Sequence, residues 1–219
     1  MSIITLTSDY GLVDYRVAAV KGAILSQTTN VQIVDISHEI EAYNLTQAAY
    51  IVRNAYKHFP KNSVHILCIE AVYRKEVKPI VYKIDGHYFI SADNGLLSLI
   101  FPDISPDGVY EITLKRFDED IKSVVMDIFV PVATYLADGG IPEVIGREYK
   151  TPKESVAENP IHNESENMIV GRVMYIDNYG NLITNINKKI FTRAKINHER
   201  YRLIFRDIAL STIHETQMA

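Results

Sequence analysis

The chain has a single cysteine, Cys68, in 219 residues, so no disulfide can form within it and a disulfide-stapled secreted scaffold is excluded. That cysteine lies inside the apolar run Val64-His65-Ile66-Leu67-Cys68-Ile69, where a thiol behaves as a small core hydrophobe. Blocks of like charge are also lacking. The formal charge of −4 arises from interspersed acids and bases, which argues against a nucleic-acid footprint or a polybasic membrane anchor. No apolar run approaches the length of a membrane span. The N-terminus, Met1-Ser2-Ile3-Ile4-Thr5-Leu6, has no cationic segment ahead of its apolar residues and soon meets Asp9, so it does not read as a signal peptide. These absences point to a cytoplasmic protein that acts on a small molecule, with no nucleic acid and no membrane among its partners.

Several motifs are missing as well. There is no Gly-x-Gly-x-x-Gly turn for a dinucleotide, no Gly-Lys-Ser/Thr phosphate loop and no Gly-x-Ser-x-Gly elbow. The seven histidines are scattered, without His-Glu-x-x-His or His-x-Glu…Cys-x-x-Cys spacing. Within Ser37-His38-Glu39-Ile40-Glu41-Ala42-Tyr43, His38 therefore reads as a hydrogen-bonded loop residue rather than a metal ligand.

What is present is enough apolar sequence, 47% of residues, for one full α/β core plus a smaller second unit. Residues 3–8 read as a buried strand. Val17, Val20, Ala23, Ile24 and Leu25 then recur at helical spacing over residues 14–27, with Asp14 as N-cap. A second strand covers residues 31–36, a helix capped by Asn44 covers 44–58, and a third strand covers 63–70. Strand-helix-strand-helix-strand implies parallel pairing through right-handed crossovers. Two strands joined by Asp85-Gly86 then read as a hairpin, and residues 127–138 read as a helix with Pro131 in its first turn. An N-terminal α/β domain with a mainly parallel sheet is expected over residues 1–150. A polar, Pro-containing linker follows over 151–167, and a β-patterned unit begins at 168 and runs to 219.

Two loops could carry chemistry. Thr7-Ser8-Asp9-Tyr10-Gly11 follows the first strand, at the edge where open α/β sheets bind ligands. A carboxylate there can accept the hydrogens of a ribose 2′,3′-diol; equally, the segment can be a turn whose Asp bonds its own backbone. Asp177-Asn178-Tyr179-Gly180-Asn181 can be a hairpin connection. It can also be a site with an ammonium on Asp177, a stacked ring on Tyr179 and a nucleobase edge on Asn181.

Taken together, five segments settle more than any one of them. Thr7-Ser8-Asp9-Tyr10-Gly11…Asp14, Val34-Asp35-Ile36-Ser37-His38-Glu39-Ile40, Ala92-Asp93-Asn94-Gly95-Leu96-Leu97, Asp127-Ile128-Phe129-Val130-Pro131-Val132-Ala133 and Tyr175-Ile176-Asp177-Asn178-Tyr179-Gly180-Asn181-Leu182-Ile183-Thr184-Asn185-Ile186 resemble, in order, the S-adenosylmethionine hydroxide adenosyltransferases. That family is related to the fluorinating and chlorinating enzymes acting on the same substrate. The resemblance implies an N-terminal α/β domain and a C-terminal β-barrel-like domain. It further implies a homotrimer with sites between subunits, no metal or redox cofactor, and attack of water on C5′ of S-adenosylmethionine to give adenosine and methionine. By position, Asp9 would bind the ribose diol, Tyr43 would pack on the sugar or adenine, Asp177 would hold the methionine ammonium, and Tyr179 and Asn181 would contact adenine.

Departures from the pattern bear on catalysis. Where hydrolytic members carry Asp-Pro-Gly-Val-Gly-Thr-x-Arg, this chain has Glu70-Ala71-Val72-Tyr73-Arg74-Lys75-Glu76-Val77, so the aspartate falls on Glu70 and the arginine on Val77. The family's His-Gly-Arg-Asp falls on Val124-Val125-Met126-Asp127, which makes the histidine position Val124. Glu70 could still orient water, with Arg74 or Lys75 standing in for the arginine, whereas valine cannot hold water by hydrogen bonding. The polar halide loop of the fluorinating relatives is missing too. The resemblance also implies later strands beyond Ala219, so the second domain reads as truncated. A non-catalytic adenosyl-ligand binder or sensor is the alternative to a hydrolase.

Overall fold

The computed structural model describes residues 1–72, 76–113, 121–163, 165–195 and 200–212. The chain divides into two compact units, Met1–Ala157 and Glu158–Ala219.

In the first unit, β1 (Ser2–Ser8), β2 (Val31–Ser37), β3 (Val64–Cys68), β4 (Pro79–Ile84), β5 (His87–Ala92), β6 (Gly108–Ile112) and β7 (Gly146–Glu148) form one sheet in the order β2-β1-β3-β5-β4-β6-β7. The pairs β1–β2, β1–β3 and β3–β5 are parallel, and β4, β6 and β7 extend the sheet by antiparallel pairing. Strand β1 is covered on both faces and so has no solvent-facing side, even its Thr5 and Thr7 being buried. Ile4 and Leu6 enter one core cluster, while Thr5 bonds His65 Nδ1 at 2.7 Å on the other face.

Helix α1 (Arg16–Gln27) and α4 (Val130–Ala137) cover the first face, with Val20, Ile24, Val132 and Leu136 in its cluster. Helix α2 (Leu45–Ala55) and α3 (Leu96–Ile100) cover the second, where Ala48, Val52, Leu96 and Ile100 meet Tyr56 and Phe89. Within that second layer His65 stacks on Phe89 at a centroid separation of 4.5 Å, and its Nε2 lies 3.2 Å from His87 Nδ1. Both histidines are buried.

Local chemistry explains most of the element boundaries. Asn44 caps α2, its Oδ1 accepting the Gln47 amide at 2.9 Å, and Gln47 Oε1 returns to accept the Glu41 amide at 2.9 Å. Asn44→Ala should therefore lower stability by about 1 kcal/mol, read as a fall in Tm of roughly 2–4 °C by circular dichroism. An unchanged Tm would show that tertiary packing alone sets this helix start. Helix α1 begins two residues after Asp14, whose Oδ1 still accepts the Arg16 amide at 3.0 Å, so Asp14 sits one position upstream of the cap position occupied by Tyr15. The region 44–58 is α-helical only to Ala55 and closes in a 3₁₀ turn, Tyr56–His58. Asp85 and Gly86 have φ of 48° and 70°, the left-handed pair a two-residue hairpin needs. Pro131 lies in the first turn of α4, as its missing N–H requires, behind a single π-turn, Val125–Phe129.

Part of the polar segment 151–167 belongs to the first unit. Asp93 Oδ1 accepts the Lys153 amide at 2.8 Å, and Ser98 Oγ accepts the Ser155 amide at 2.8 Å. Gly95, at φ 92°, lies so close to Ser155 that a Cβ would collide with its hydroxyl. The second unit consists of hairpins β8 (Ile161–Asn163) with β9 (Met168–Val170), β10 (Val173–Ile176) with β11 (Leu182–Thr184), and β12 (Leu203–Phe205) with β13 (Ile208–Leu210). Helix α5 (Lys188–Lys195) lies between the last two pairs in sequence. The β-rich character is as expected, but among the described residues the three hairpins are separate two-stranded sheets and do not close into a barrel.

Candidate functional site

The carboxyl ends of β1 and β3 lie side by side, with Ser8 opposite Cys68. Strand β1 has β2 on one side and β3 on the other, so the chain reverses direction across the sheet here, the point at which open α/β sheets bind ligands. Asp9 is the first residue past β1.

Its carboxylate is held from two distant loops. Asp9 Oδ2 accepts the backbone N–H of Tyr43 at 3.1 Å and of Glu70 at 3.2 Å, 34 and 61 residues away in sequence. Both donors are non-glycine residues in left-handed backbone, with φ of 65° for Tyr43 and 49° for Glu70. That conformation is uncommon for residues bearing a Cβ. An oxygen has about two acceptor positions, so Oδ2 is filled, and among the described residues Oδ1 has no donor. This refines the expected diol contact: both hydroxyls would have to converge on Oδ1 rather than take one oxygen each.

Three of the residues singled out in the sequence, Asp9, Tyr43 and Glu70, thus meet at one point. The Tyr43 ring is exposed and Glu70 is partly buried. The positions matching the family's arginine and histidine do not contribute polar groups. Val124 is buried in the core cluster of the first face, and Val77 packs against the same cluster together with Tyr10 and Ala71. Arg74 and Lys75 lie outside the described residues. Close to Asp9 the Tyr10 ring and the Cys68 thiol line one small cavity together with Ser8 and His38. Burial first, and the negative charge of Asp9 second for the thiol, push both groups up, so both keep their protons.

One pair was not foreseen. Ser8 Oγ lies 2.6 Å from His38 Nδ1, both residues being buried, and the Gly11 amide donates to the His38 carbonyl at 2.7 Å. The available signal was a histidine three residues after Asp35, at the end of a strand adjacent to β1.

In the second unit the loop after β10 is organised by Asp177. Its Oδ1 accepts the amides of Tyr179 at 2.9 Å and Asn181 at 2.8 Å, and its Oδ2 accepts the Asn181 side-chain amide at 2.8 Å. The Asn181 side chain, then the backbone donors, hold the Asp177 carboxyl below the usual carboxylate range. Gly180, at φ 83°, completes the turn, and the Tyr179 ring stands almost fully exposed. Asp177 and Asn181 thus serve each other locally, which is the turn reading, and Tyr179 is left open to a ligand or a neighbouring chain.

These features define an α/β protein with a carboxylate site at the reversal point of its sheet, followed by a small β-rich unit. Residues 4–146 match the SAM hydroxide adenosyltransferase N-terminal domain, and residues 171–215 match the corresponding C-terminal domain. The chain belongs to the SAM hydroxide adenosyltransferase family. It is 32% identical over 193 residues to the (R)-S-adenosyl-L-methionine hydrolase of Methanocaldococcus jannaschii, covering 86% of this chain and 68% of the relative. Identity to the hydrolase of the same name from Thermus thermophilus is 27%, over 82% and 72% of the two chains. A fluorinase from Actinopolyspora mzabensis is 24% identical over 90% and 75%. The fold matches the crystal structure of an uncharacterized conserved protein from Thermotoga maritima with a TM-score of 0.82 at 25% identity, over 95% of this chain and 81% of that one.

Proposed function

We propose that this protein binds S-adenosylmethionine and hydrolyses it to adenosine and L-methionine. The observation that carries the reading is the Asp9 carboxylate, held at the sheet edge by the Tyr43 and Glu70 amides on Oδ2, with no donor to Oδ1 among the described residues. Family membership and the hydrolases among its relatives support the same substrate.

Water attacks C5′ as the C5′–S bond breaks, the electron pair stays on sulfur, and the sulfonium leaves as the neutral thioether of methionine. A cationic leaving group needs no acid, so the reaction requires no metal or redox cofactor and depends on holding water in line with the bond. Glu70, whose backbone amide reaches Asp9, takes the water's proton and passes it to solvent. Asp177, Tyr179 and Asn181 complete the pocket from a neighbouring subunit, holding the ammonium and the adenine. The exposed apolar rim of Leu12, Val13, Tyr15 and Tyr43 around the Asp9 loop supports association with another subunit, for which the family resemblance implies a homotrimer. A cytoplasmic setting fits the reading, and among the described residues no helix is long and apolar enough to cross a membrane.

The test is to incubate purified protein with S-adenosylmethionine and follow adenosine and methionine by chromatography beside an Asp9→Ala control. No product above that control sinks the hydrolase reading. The packing of Val77 and Val124 into apolar core favours one second reading, an adenosyl-ligand binder without turnover. Calorimetric binding of adenosine with no product would select it. If turnover occurs, Glu70→Gln should lower kcat by about a hundredfold, the usual scale for a lost general base. Adenosine affinity should stay unchanged, because Glu70 reaches Asp9 through its backbone amide. An unaltered kcat would remove Glu70 from the mechanism.

A further inference from the structure

The Asp9 loop is supported by a buried polar chain that none of the matching motifs assigns a role. Ser8 Oγ is 2.6 Å from His38 Nδ1 and accepts the Tyr10 amide at 3.4 Å. The His38 carbonyl accepts the Gly11 amide at 2.7 Å. On the far side of the ring, His38 Nε2 lies 3.1 Å from Asp35 Oδ1, too oblique for a straight hydrogen bond yet within ion-pair distance. Asp35 Oδ2 in turn takes Lys21 Nζ at 2.5 Å. Desolvation works to raise the Asp35 carboxyl, but the hydrogen bond from Lys21 and then the close contact with His38 outweigh it and hold it below its usual range. An anionic Asp35 beside Nε2 favours the tautomer with its proton there. Nδ1 then accepts the Ser8 hydroxyl proton, which leaves the Ser8 lone pairs to the Tyr10 amide.

The backbone is shaped to make this contact. The β1–β2 ladder runs in register from Ser2 with Val31 to Leu6 with Asp35 and then skips, so that Thr7 pairs with Ser37. A bulge of this kind re-aims the residues that follow it. Here it brings His38 under the β1 turn. The Asp-His-Ser order superficially matches a nucleophilic triad, but Ser8 is only 2% exposed and its hydroxyl points into the protein, so it is closed to a substrate.

We infer that His38, acting through Ser8, is a positioning residue that fixes the Ser8–Gly11 turn and thereby aims the Asp9 carboxylate at the ribose of the adenosyl ligand. The inference rests on the assignment of Asp9 as the ligand carboxylate. Removing the ring leaves the carbonyl bond to Gly11 intact, so the turn survives but its first residue loosens. A binding group misplaced in this way weakens ground-state recognition of the sugar more than it slows the chemical step.

Adenosine is titrated by calorimetry into wild-type protein and into Asp9→Ala, Ser8→Ala, His38→Leu and His38→Gln, with thermal melts of each. His38→Leu and Ser8→Ala should each bind adenosine about tenfold more weakly, and the double variant no more weakly than either, since the two act in series. His38→Gln, whose carbonyl can still accept from Ser8, should recover most of the affinity. In the wild-type reaction with S-adenosylmethionine, KM should rise in His38→Leu while kcat stays within about twofold. A His38→Leu protein that melts normally and binds adenosine as tightly as wild type overturns the inference while leaving the Asp9 site standing, provided Asp9→Ala has lost binding. Retained binding in Asp9→Ala instead overturns the site itself. If His38→Leu does not fold, Ser8→Ala decides: unchanged affinity there refutes the relay.

Discussion

Asp9→Asn is expected to weaken adenosine binding by about a hundredfold while leaving the fold intact. Asparagine keeps a carbonyl oxygen that can accept the Tyr43 and Glu70 amides, as Asp9 Oδ2 does at 3.1 and 3.2 Å, so both loops stay in place. The other atom becomes an amide nitrogen, a donor facing the donors of a diol. Two charge-assisted hydrogen bonds are lost, and at about 1.5 kcal/mol each they correspond to roughly two decades in affinity. Calorimetry with adenosine and 2′-deoxyadenosine tests the chemistry directly. Wild-type protein should discriminate between the two nucleosides, and Asp9→Asn should discriminate far less. Equal discrimination by both proteins would mean that Asp9 does not read the diol.

The second large effect is on stability in acid. His65 is fully buried between Thr5, Phe89 and His87, and desolvation, then the neighbouring His87, push it down to about 3 from an ordinary value of 6.5. His87 is pushed down as well, by burial first and Lys61 second, with Asp85 opposing. The folded state therefore keeps His65 neutral at pH values where the unfolded chain has already taken up a proton. Its contribution is complete above about pH 6.5 and is lost as pH falls toward 3, at roughly 1.4 kcal/mol per pH unit. By pH 4 about 3 kcal/mol has gone, a large part of the stability of an ordinary domain. His65→Gln, able to bond Thr5 but unable to titrate, should start less stable at pH 7 and lose stability more slowly on acidification. Urea denaturation followed by fluorescence between pH 7 and 4 gives both slopes. Parallel slopes would show that His65 is not the group that resists protonation.

What could be read in the sequence depended on whether the cause was local. The Asn44 cap, the Asp85-Gly86 turn and the place of Pro131 each follow from the chemistry of a few adjacent residues, and each lies where expected. The motif at Asp9 was visible, but not what holds its carboxylate. Backbone amides have no sequence signature, and those of Tyr43 and Glu70 arrive only when two crossovers have been completed. The Ser8–His38 pair was hidden because it depends on a skipped residue in the β1–β2 ladder, and periodicity over so short a strand does not reveal a bulge. Residues 151–157 looked like linker from their polarity, yet Lys153 and Ser155 are bonded to Asp93 and Ser98 through backbone amides that any sequence would offer. For Val77 and Val124 the sequence already announced missing polar groups; the structure adds that apolar packing has taken up both positions.

The two left-handed residues that grip Asp9 also make an epistatic knot. Each conformation costs a residue with a Cβ about 1 kcal/mol, and the shared carboxylate offsets both costs at once. Glycine at position 43 or 70 should therefore stabilise the fold while Asp9 holds the backbone in this conformation, and gain less once Asp9 is gone and the loops can relax. An evolving lineage could keep or abandon these two backbone kinks only together with the acid between them. The backbone conformations at positions 43 and 70 are thus coupled through Asp9, although no two of the three residues are neighbours in the chain.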